Sequence, residues 1–180
     1  MSLTADPSKD IHDLIPEMQD KCNLVINECK KRGVEILVFQ TFRSLQYQAR
    51  IWRQSRTKYE ILEKVDYFKT HGYDYLADIL TMVGPQHGPH VTNSCCGESW
   101  HSFKEAFDAV IVVDKKAVWD DSHPHWKIYG EVVQSCGLTW GGGWKSFTDF
   151  PHAQLRAGAN PMRTYTPADL KNILKTYGLI

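Results

Sequence analysis

Two short segments of the sequence place histidine and aspartate residues at spacings that could bind a metal ion. His101 is followed seven residues later by Asp108, and Asp149 is followed three residues later by His152. A catalytic zinc site takes three protein ligands from histidine, cysteine, aspartate or glutamate and keeps a fourth position for water. His101, Asp108 and His152 meet that count. Asp149 then remains as an acid that could take a proton from the water and pass it to a leaving amine.

Each of these residues alone has a simpler interpretation, because a single histidine or aspartate in a loop is more often solvated or hydrogen-bonded than metal-bound. A thiol nucleophile is an alternative to a metal site, since Cys95 and Cys96 lie close in sequence to His101. Adjacent cysteines point in different directions, however, and the sequence shows no third partner that would order such a pair. The joint pattern of histidine and aspartate therefore favours metal chemistry.

The elements that must position these residues can be predicted from hydrophobic periodicity. Phe107 to Val113 is a nearly continuous apolar run, which predicts a central strand. Shorter strands are predicted at residues 34–39, 138–140 and 153–155. Helices are predicted from Ile15 to a stop at Gly33, from Leu45 to Trp52, in two short segments between residues 59 and 83 broken at His71-Gly72, from Trp126 to Cys136, and from Thr166 onwards. The sequence therefore predicts a single small α+β domain over residues 1–180.

The composition is that of a folded globular domain and excludes several classes of function. The chain has 180 residues, of which 42% are hydrophobic and 23% charged, and Lys+Arg and Asp+Glu both number 21. With a formal net charge of zero there is no basic field to attract nucleic acid or anionic lipid. No apolar segment approaches the roughly 20 residues that span a bilayer. We therefore expect no nucleic-acid partner and no membrane partner. The chain is also expected to be a monomer.

The five cysteines are an odd number, which does not indicate a disulfide scaffold.

Two motifs resemble those of the zinc peptidases that cleave peptidoglycan stem peptides. They are Ser99-x-His101-x-x-x-x-Ala106-x-Asp108 and Trp140-Gly-Gly-x-Trp144-Lys-Ser-Phe147-x-Asp149-x-Pro151-His152. That family includes D-alanyl-D-alanine carboxypeptidases and the L-alanyl-D-glutamate endopeptidases of phage endolysins and bacterial wall enzymes. The second motif is closer to the L-alanyl-D-glutamate branch.

The resemblance implies a zinc metallopeptidase that holds one zinc ion. His101, Asp108 and His152 match the positions of the zinc ligands, and Asp149 matches the general base and acid. The implied fold is a small domain with a central antiparallel sheet flanked by helices, similar to hedgehog and D,D-peptidase domains.

The resemblance also implies residues that contact substrate. Phe42-Arg43-Ser44 with Gln48 is similar to a Tyr-Arg-Ser...Gln segment of the family, so Arg43 is expected to bind a substrate carboxylate or a developing oxyanion. An ion pair at the edge of the core is the structural alternative for Arg43. Ser99 is expected to contact the substrate backbone. Trp144 is a candidate for substrate binding, although Trp140 and Trp144 beside glycines could equally be core packing.

Three positions depart from the family pattern. Lys104 stands where glycine is usual, which demands a slightly different turn or a side chain directed into solvent. Gly143 replaces an expected aspartate and Ala153 an expected aromatic residue, and we expect both to enlarge the pocket wall or remove charge from it. Residues 59–90 are predicted to be an insertion, because the segments on either side resemble pieces that the family carries nearly adjacent.

The expected activity is the hydrolysis of peptidoglycan stem peptides during cell-wall degradation, as an L-alanyl-D-glutamate endopeptidase. Two alternatives stay open: a D-alanyl-D-alanine carboxypeptidase or dipeptidase, and a zinc-bearing binding module without turnover. Asp149 argues against the module, since a structural zinc needs no additional acid. The sequence near Met1 does not resemble a signal peptide. We therefore expect synthesis in the cytoplasm and action on the wall after release or export.

Overall fold

The computed structural model describes residues 7–145, 147–158 and 160–180, so Ser146 of the second motif lies outside the described residues. The described chain divides into two compact units. The first comprises the residues up to Phe42 together with Lys104–Ala157, and the second comprises Arg43–Phe103 together with the residues from Gly158 to Ile180.

The α-helices of the described residues include all six that periodicity predicts. They are α1 (Pro16–Lys31), α2 (Leu45–Arg53), α3 (Lys58–Thr70), α4 (Asp74–Met82), α5 (His125–Ser135), α6 (Pro161–Thr164) and α7 (Pro167–Thr176). Gly33 has a φ of 76° just beyond α1, as expected of a glycine that ends a helix in the left-handed conformation. Thr166 caps α7, because its side chain accepts a hydrogen bond from the N–H of Asp169. The short helix α6 was not predicted.

An antiparallel sheet is the frame of the first unit. Its strands are β1 (Glu35–Gln40), β2 (Ala106–Val113), β3 (Lys116–Val118), β4 (Thr139–Trp140) and β5 (His152–Gln154). Strand β1 pairs with one edge of β2, while β5 and β3 pair with successive stretches of the other edge, and β4 pairs with β5. The apolar run therefore does form the central strand, and the predicted α+β class with an antiparallel sheet is confirmed.

The hydrophobic core of the first unit lies among β2, α1 and α5. The apolar face predicted for α1 is fully buried at Met18, Cys22 and Val25. Helix α5 contributes Trp126 and Tyr129, which are also buried. Burial of this kind contributes about 25 cal/mol per Å² of apolar surface, so the core holds the sheet in one register with the helices.

Two tight turns in the first unit use left-handed backbone at residues other than glycine. Asp114 and Lys115 have φ values of 50° and 63° and join β2 to β3 in a two-residue hairpin. Lys104, just before β2, has a φ of 60°, and its backbone carbonyl accepts a hydrogen bond from the N–H of Ile15. The Lys104 ammonium lies 5.3 Å from the centre of the Phe42 ring. The positive φ of Lys104 is a conformation that glycine adopts without strain, which explains why glycine is usual at position 104.

The second unit is helical, and α4 packs against both α2 and α3. Helix α3 begins with a capping box, in which Thr57 and Glu60 bond to each other's backbone N–H groups. Lys64 of α3 forms an ion pair of 2.5 Å with Glu98, whose other oxygen accepts from the N–H of Cys95. Helices α3 and α4 account for most of residues 59–90, and their origin as an insertion stays a prediction.

None of the helices that the described residues form combines the length and the apolar character needed to cross a membrane.

The left-handed backbone at Lys104 leads to a prediction about stability. For a residue with a side chain this conformation costs about 1–2 kcal/mol. Glycine avoids that cost but destabilises the folded state by about 0.5–1 kcal/mol, because it loses more conformational entropy on folding. We expect Lys104→Gly to change the free energy of unfolding by less than about 1 kcal/mol, since it also loses the contact with Phe42. Lys104→Val should destabilise the protein by about 2 kcal/mol, because a β-branched residue is strained at positive φ. Urea unfolding of the two variants checks this, and equal stability of both would contradict it.

Candidate metal centre

The structure brings His101, Asp108 and His152 together. Asp108 on β2 lies directly opposite His152 on β5 in the strand register, and His101 lies in a 3-10 turn at Trp100–Phe103. The three residues are 1%, 6% and 7% exposed. Each offers one ligand atom, and these atoms lie within 4.8 Å of one another. Among the described residues this is the group of histidine, cysteine and acidic side chains that could hold a metal ion.

The donor set suits a catalytic zinc ion. Two imidazoles and one carboxylate are the ligand types and the ligand number of a zinc site with a position left for water. Burying a carboxylate is costly unless a cation or several hydrogen-bond donors compensate its charge. A divalent cation among these three side chains would supply that compensation. The residues present therefore fit the metal that the sequence predicts.

A bulge in β1 lies opposite the aspartate. Val38 pairs with Ala109 and Gln40 pairs with Asp108, so Phe39 is an extra residue between the two pairs. Such a bulge bends the strand and changes the direction of neighbouring side chains, and bulges are common beside active sites. Asp108 is thus held between an irregular β1 and the short strand β5.

The two ring nitrogens of His152 contact different partners. Nδ1 lies 3.1 Å from Oδ1 of Asp108, and Nε2 lies 3.0 Å from Oε1 of Gln154. Burial by itself lowers the pKa of His152, but the hydrogen bond and charge of Asp108, with the charge of Asp149, raise it above its usual value. A metal can bind only the neutral ring, so protons compete with it at acidic pH.

Asp149 is placed by backbone contacts on either side of it. Its N–H donates to the carbonyl of Gly141 at 3.1 Å, and its carbonyl accepts from the N–H of His152 at 3.2 Å. A Cβ at Gly141 would lie 2.6 Å from the Asp149 carbonyl oxygen, so a side chain there would push this segment away. The Tyr129 hydroxyl of α5 donates to the carbonyl of Pro151 at 3.0 Å. The half-buried Asp149 is therefore fixed relative to His152.

The two tryptophans of the second motif have different roles in the fold. Trp140 is a packing residue, since its Nε1–H donates to the Phe150 carbonyl at 2.8 Å. A Cβ at Gly130 or Gly142 would lie within 2.3 Å of its ring, so both glycines make room for it. Trp144 is half-buried, and its ring centre lies 5.2 Å from that of His152. Trp144, unlike Trp140, is thus beside a candidate ligand.

Arg43 and Ser99 lie next to His101 within the second unit. The N–H of Arg43 donates to the His101 carbonyl at 3.4 Å, and its guanidinium Nη1 lies 3.4 Å from Oε1 of Gln48. Gln48 is buried on α2 and donates in turn to the Ser94 carbonyl at 2.6 Å. Ser99 is buried, and its carbonyl accepts from the N–H of Ser102 at the start of the turn that carries His101. Their contacts with substrate stay predictions.

The expectation that Ala153 enlarges a pocket wall is wrong. Successive residues of a strand face opposite sides of the sheet, so Ala153 faces away from His152. It is fully buried in the hydrophobic core, opposite Phe107 and Trp140 in the strand register. Gly143, by contrast, is exposed, and a Cβ there would meet no atom within 4 Å.

The thiol alternative lacks support in the structure. Cys95 and Cys96 are both fully buried, with their sulfur atoms 3.8 Å apart. Burial raises the pKa of the Cys96 thiol well above its usual value, so this thiol stays protonated and is a poor nucleophile.

Three polar residues around β5 were not predicted from the sequence. They are Gln154, Glu105 and Arg156, which connect to one another and to His152 by hydrogen bonds. The period of two along a strand could have identified Gln154, because it puts residue 154 on the same face as His152. Nothing in the sequence indicated that Glu105 and Arg156 would pair.

Two family models match this chain. The VanY model, described as D-alanyl-D-alanine carboxypeptidase, matches residues 11–123. A second model with the same description matches residues 92–155.

Individual proteins are also similar to the chain. The peptidoglycan L-alanyl-D-glutamate endopeptidase CwlK of Bacillus subtilis strain 168 is 24% identical over 151 residues, which cover 79% of this chain and 74% of that protein. The crystal structure of the Serratia marcescens L-Ala D-Glu endopeptidase ChiX aligns with a TM-score of 0.45 and 18% identity, covering 86% of this chain and 89% of ChiX. The Zn(II) complex of the D,D-pentapeptidase VanY from a VanB-type vancomycin resistance cassette aligns with a TM-score of 0.45 and 14% identity, covering 92% and 78%.

The close approach of Gly141 to Asp149 leads to a prediction about the metal centre. In Gly141→Ala the new methyl would press on the Asp149 carbonyl and lie 3.0 Å from Cβ of His152. We expect zinc binding to weaken by at least about tenfold and the protein to lose about 1–3 kcal/mol of stability through overpacking. Competition with a chromophoric chelator and urea unfolding measure the two effects. Gly143→Ala is the matched control and should change neither, so equal zinc affinity in both variants would contradict this account.

Proposed function

The chain belongs to the VanY family of D-alanyl-D-alanine carboxypeptidases, and we propose that within this family it cleaves the L-alanyl-D-glutamate bond of peptidoglycan stem peptides. It is a zinc metallopeptidase that acts on peptidoglycan. The observation that carries the proposal is the buried group of His101, Asp108 and His152, with Asp149 fixed three residues before the last of them.

In the proposed site His101 and His152 would hold the ion through ring nitrogens, and Asp108 would hold it through a carboxylate oxygen. Zinc bound there supplies Lewis-acid chemistry, since it polarises a carbonyl group and lowers the pKa of water to about 7. The chain contributes the shape of the site and the acid–base group. Because the three ligands are buried, the Asp108 carboxylate and the dipoles of the two imidazoles act in a medium of lower dielectric than water, which strengthens their attraction for a cation.

Asp149 moves the proton in the proposed reaction. Its carboxylate accepts a proton from the attacking water and then delivers that proton to the nitrogen of the leaving amine. Such a group must stay at a constant position relative to the scissile bond. The backbone hydrogen bonds that join Asp149 to Gly141 and His152 support this role, because they hold the main chain that carries the carboxylate.

Arg43, Ser99 and Trp144 bind substrate in this proposal. The Arg43 guanidinium, oriented by Gln48, holds a substrate carboxylate or the negative charge that develops on the attacked carbonyl oxygen. Trp144 presents an aromatic face to the peptide beside His152. Ser99 contacts the substrate backbone.

The choice of the L-alanyl-D-glutamate bond rests on similarity in sequence. The relative CwlK is named for this activity, and the second motif of the chain is closer to that branch. The second candidate is the activity by which the family model is described, that of a D-alanyl-D-alanine carboxypeptidase, which must bind a terminal carboxylate. The two activities release different products from the same substrate, so one digestion separates them.

We expect purified peptidoglycan treated with the zinc-loaded protein to gain a free amine on D-glutamate, seen by mass spectrometry of the products. Asp149→Asn should bind one zinc ion as the wild type does and lose at least about 100-fold in rate, because general acid–base catalysis contributes about 10²–10⁴-fold. Asp121→Asn makes the same chemical change at an exposed position and is the matched control.

Other products would correct the proposal in defined ways. Release of D-alanine would assign the chain to the carboxypeptidase reaction. Full activity of Asp149→Asn would refute the role of that carboxylate, and zinc binding without any product in the wild type would favour a binding module.

A further inference from the structure

We propose that Gln154 is a positioning residue of the metal centre: its amide oxygen holds Nε2–H of His152 and so keeps Nδ1 for the metal. This inference rests on the proposed ligand set, and it concerns a residue that touches neither the ion nor the substrate in that proposal. It derives from three observations on and around β5.

The first observation is the direction of the Gln154 amide. Its Nε2 lies 2.5 Å from the carbonyl oxygen of Arg156, which can only accept a hydrogen bond. The nitrogen of the amide must therefore face Arg156, and the oxygen must face His152. This fixes the amide orientation by chemistry, without reference to hydrogen positions.

The second observation is the contact with the imidazole. Oε1 of Gln154 lies 3.0 Å from Nε2 of His152, and an amide oxygen has no proton to give. The ring nitrogen must therefore carry the hydrogen. The Asp108 carboxylate lies 3.1 Å from Nδ1 and also can only accept, so Nδ1 donates to it in this structure. A metal binds only the neutral ring, so it would take the place of the Nδ1 proton while Gln154 keeps the proton on Nε2. The contact with Gln154 therefore leaves Nδ1, on the side of Asp108, as the nitrogen that exchanges its proton for the metal.

The third observation is that Gln154 is itself held in place. Its side chain is 1% exposed, so water does not compete for either end of the amide. The acceptor at Arg156 belongs to a segment fixed by Glu105, whose carboxylate receives hydrogen bonds of 2.7 and 3.2 Å from the Arg156 guanidinium. The Glu105 carbonyl also accepts from the N–H of Leu155 at 2.9 Å. The guanidinium is partly exposed, whereas Glu105 is buried.

These contacts run from the Glu105–Arg156 ion pair, through the Gln154 amide, to the imidazole of His152. Groups that hold the second nitrogen of a histidine ligand fix its tautomer and ring orientation, and removing them costs about 10–100-fold in metal affinity. Gln154 has the contacts of such a group on both sides of its amide.

The test is the dissociation constant for zinc, measured by competition with a chromophoric chelator. Gln154→Leu should bind zinc about 10–100-fold more weakly than the wild type. Gln154→Glu should bind zinc more tightly than Gln154→Leu, because one carboxylate oxygen still accepts from Nε2–H, and more weakly than the wild type, because the other oxygen cannot donate to the Arg156 carbonyl. Gln134→Leu makes the same change at an exposed position of α5 and should bind zinc normally. Equal affinity of Gln154→Leu and wild type would overturn the proposal.

A second measurement needs no variant. Nitrogen-15 spectra of the histidine rings in the zinc-loaded protein should place the ring proton of His152 on Nε2 and show that it exchanges slowly with water. A proton on Nδ1 would overturn the role of Gln154, even if Gln154→Leu cannot be folded. Failure of the wild type to bind zinc would refute the proposed function itself, whereas normal zinc binding with the other tautomer would refute only this inference.

Discussion

The antiparallel pairing of β2 with β5 is the constraint on which the metal centre depends. It places Asp108 directly opposite His152, and a slip of one residue would turn either side chain toward the hydrophobic core. The register is specified by burial, because Phe107 and Ala153 form the neighbouring pair and both lie in that core. Apolar burial and the alignment of two polar ligands are thus consequences of the same strand pairing.

Packing of small and large residues extends this order to the loop that carries Asp149. The Trp140 ring occupies the space left by Gly130 and Gly142, and Gly141 permits the close approach of the Asp149 carbonyl. The three consecutive glycines are therefore not equivalent, since Gly143 faces open space. The Trp140 ring packs against Gly130 and Gly142, and the main chain of Asp149 contacts Gly141. Together these contacts hold Asp149 close to His152.

Much of this arrangement could be predicted from the sequence. The features that were not predicted depend on turn geometry and tertiary contacts. The run from Phe107 to Val113 is apolar enough to predict a central strand, and the α1 face repeats with helical period. Strand β3 was missed because its turn, Asp114-Lys115, lacks the asparagine and glycine that usually allow positive φ. The position of Ala153 was misjudged because the strand was predicted to begin at residue 153, which left His152 outside it; both residues belong to β5, where neighbours face opposite sides of the sheet. Pairs such as Glu105 with Arg156 depend on tertiary contacts that periodicity does not reveal.

The most direct test of the account is a crystal structure of the zinc-loaded protein with data collected on both sides of the zinc absorption edge. We expect one anomalous peak within about 2.0–2.2 Å of a nitrogen of His101, an oxygen of Asp108 and Nδ1 of His152. A peak bound by other residues, or the absence of a peak among these three when zinc is present in excess, would contradict it.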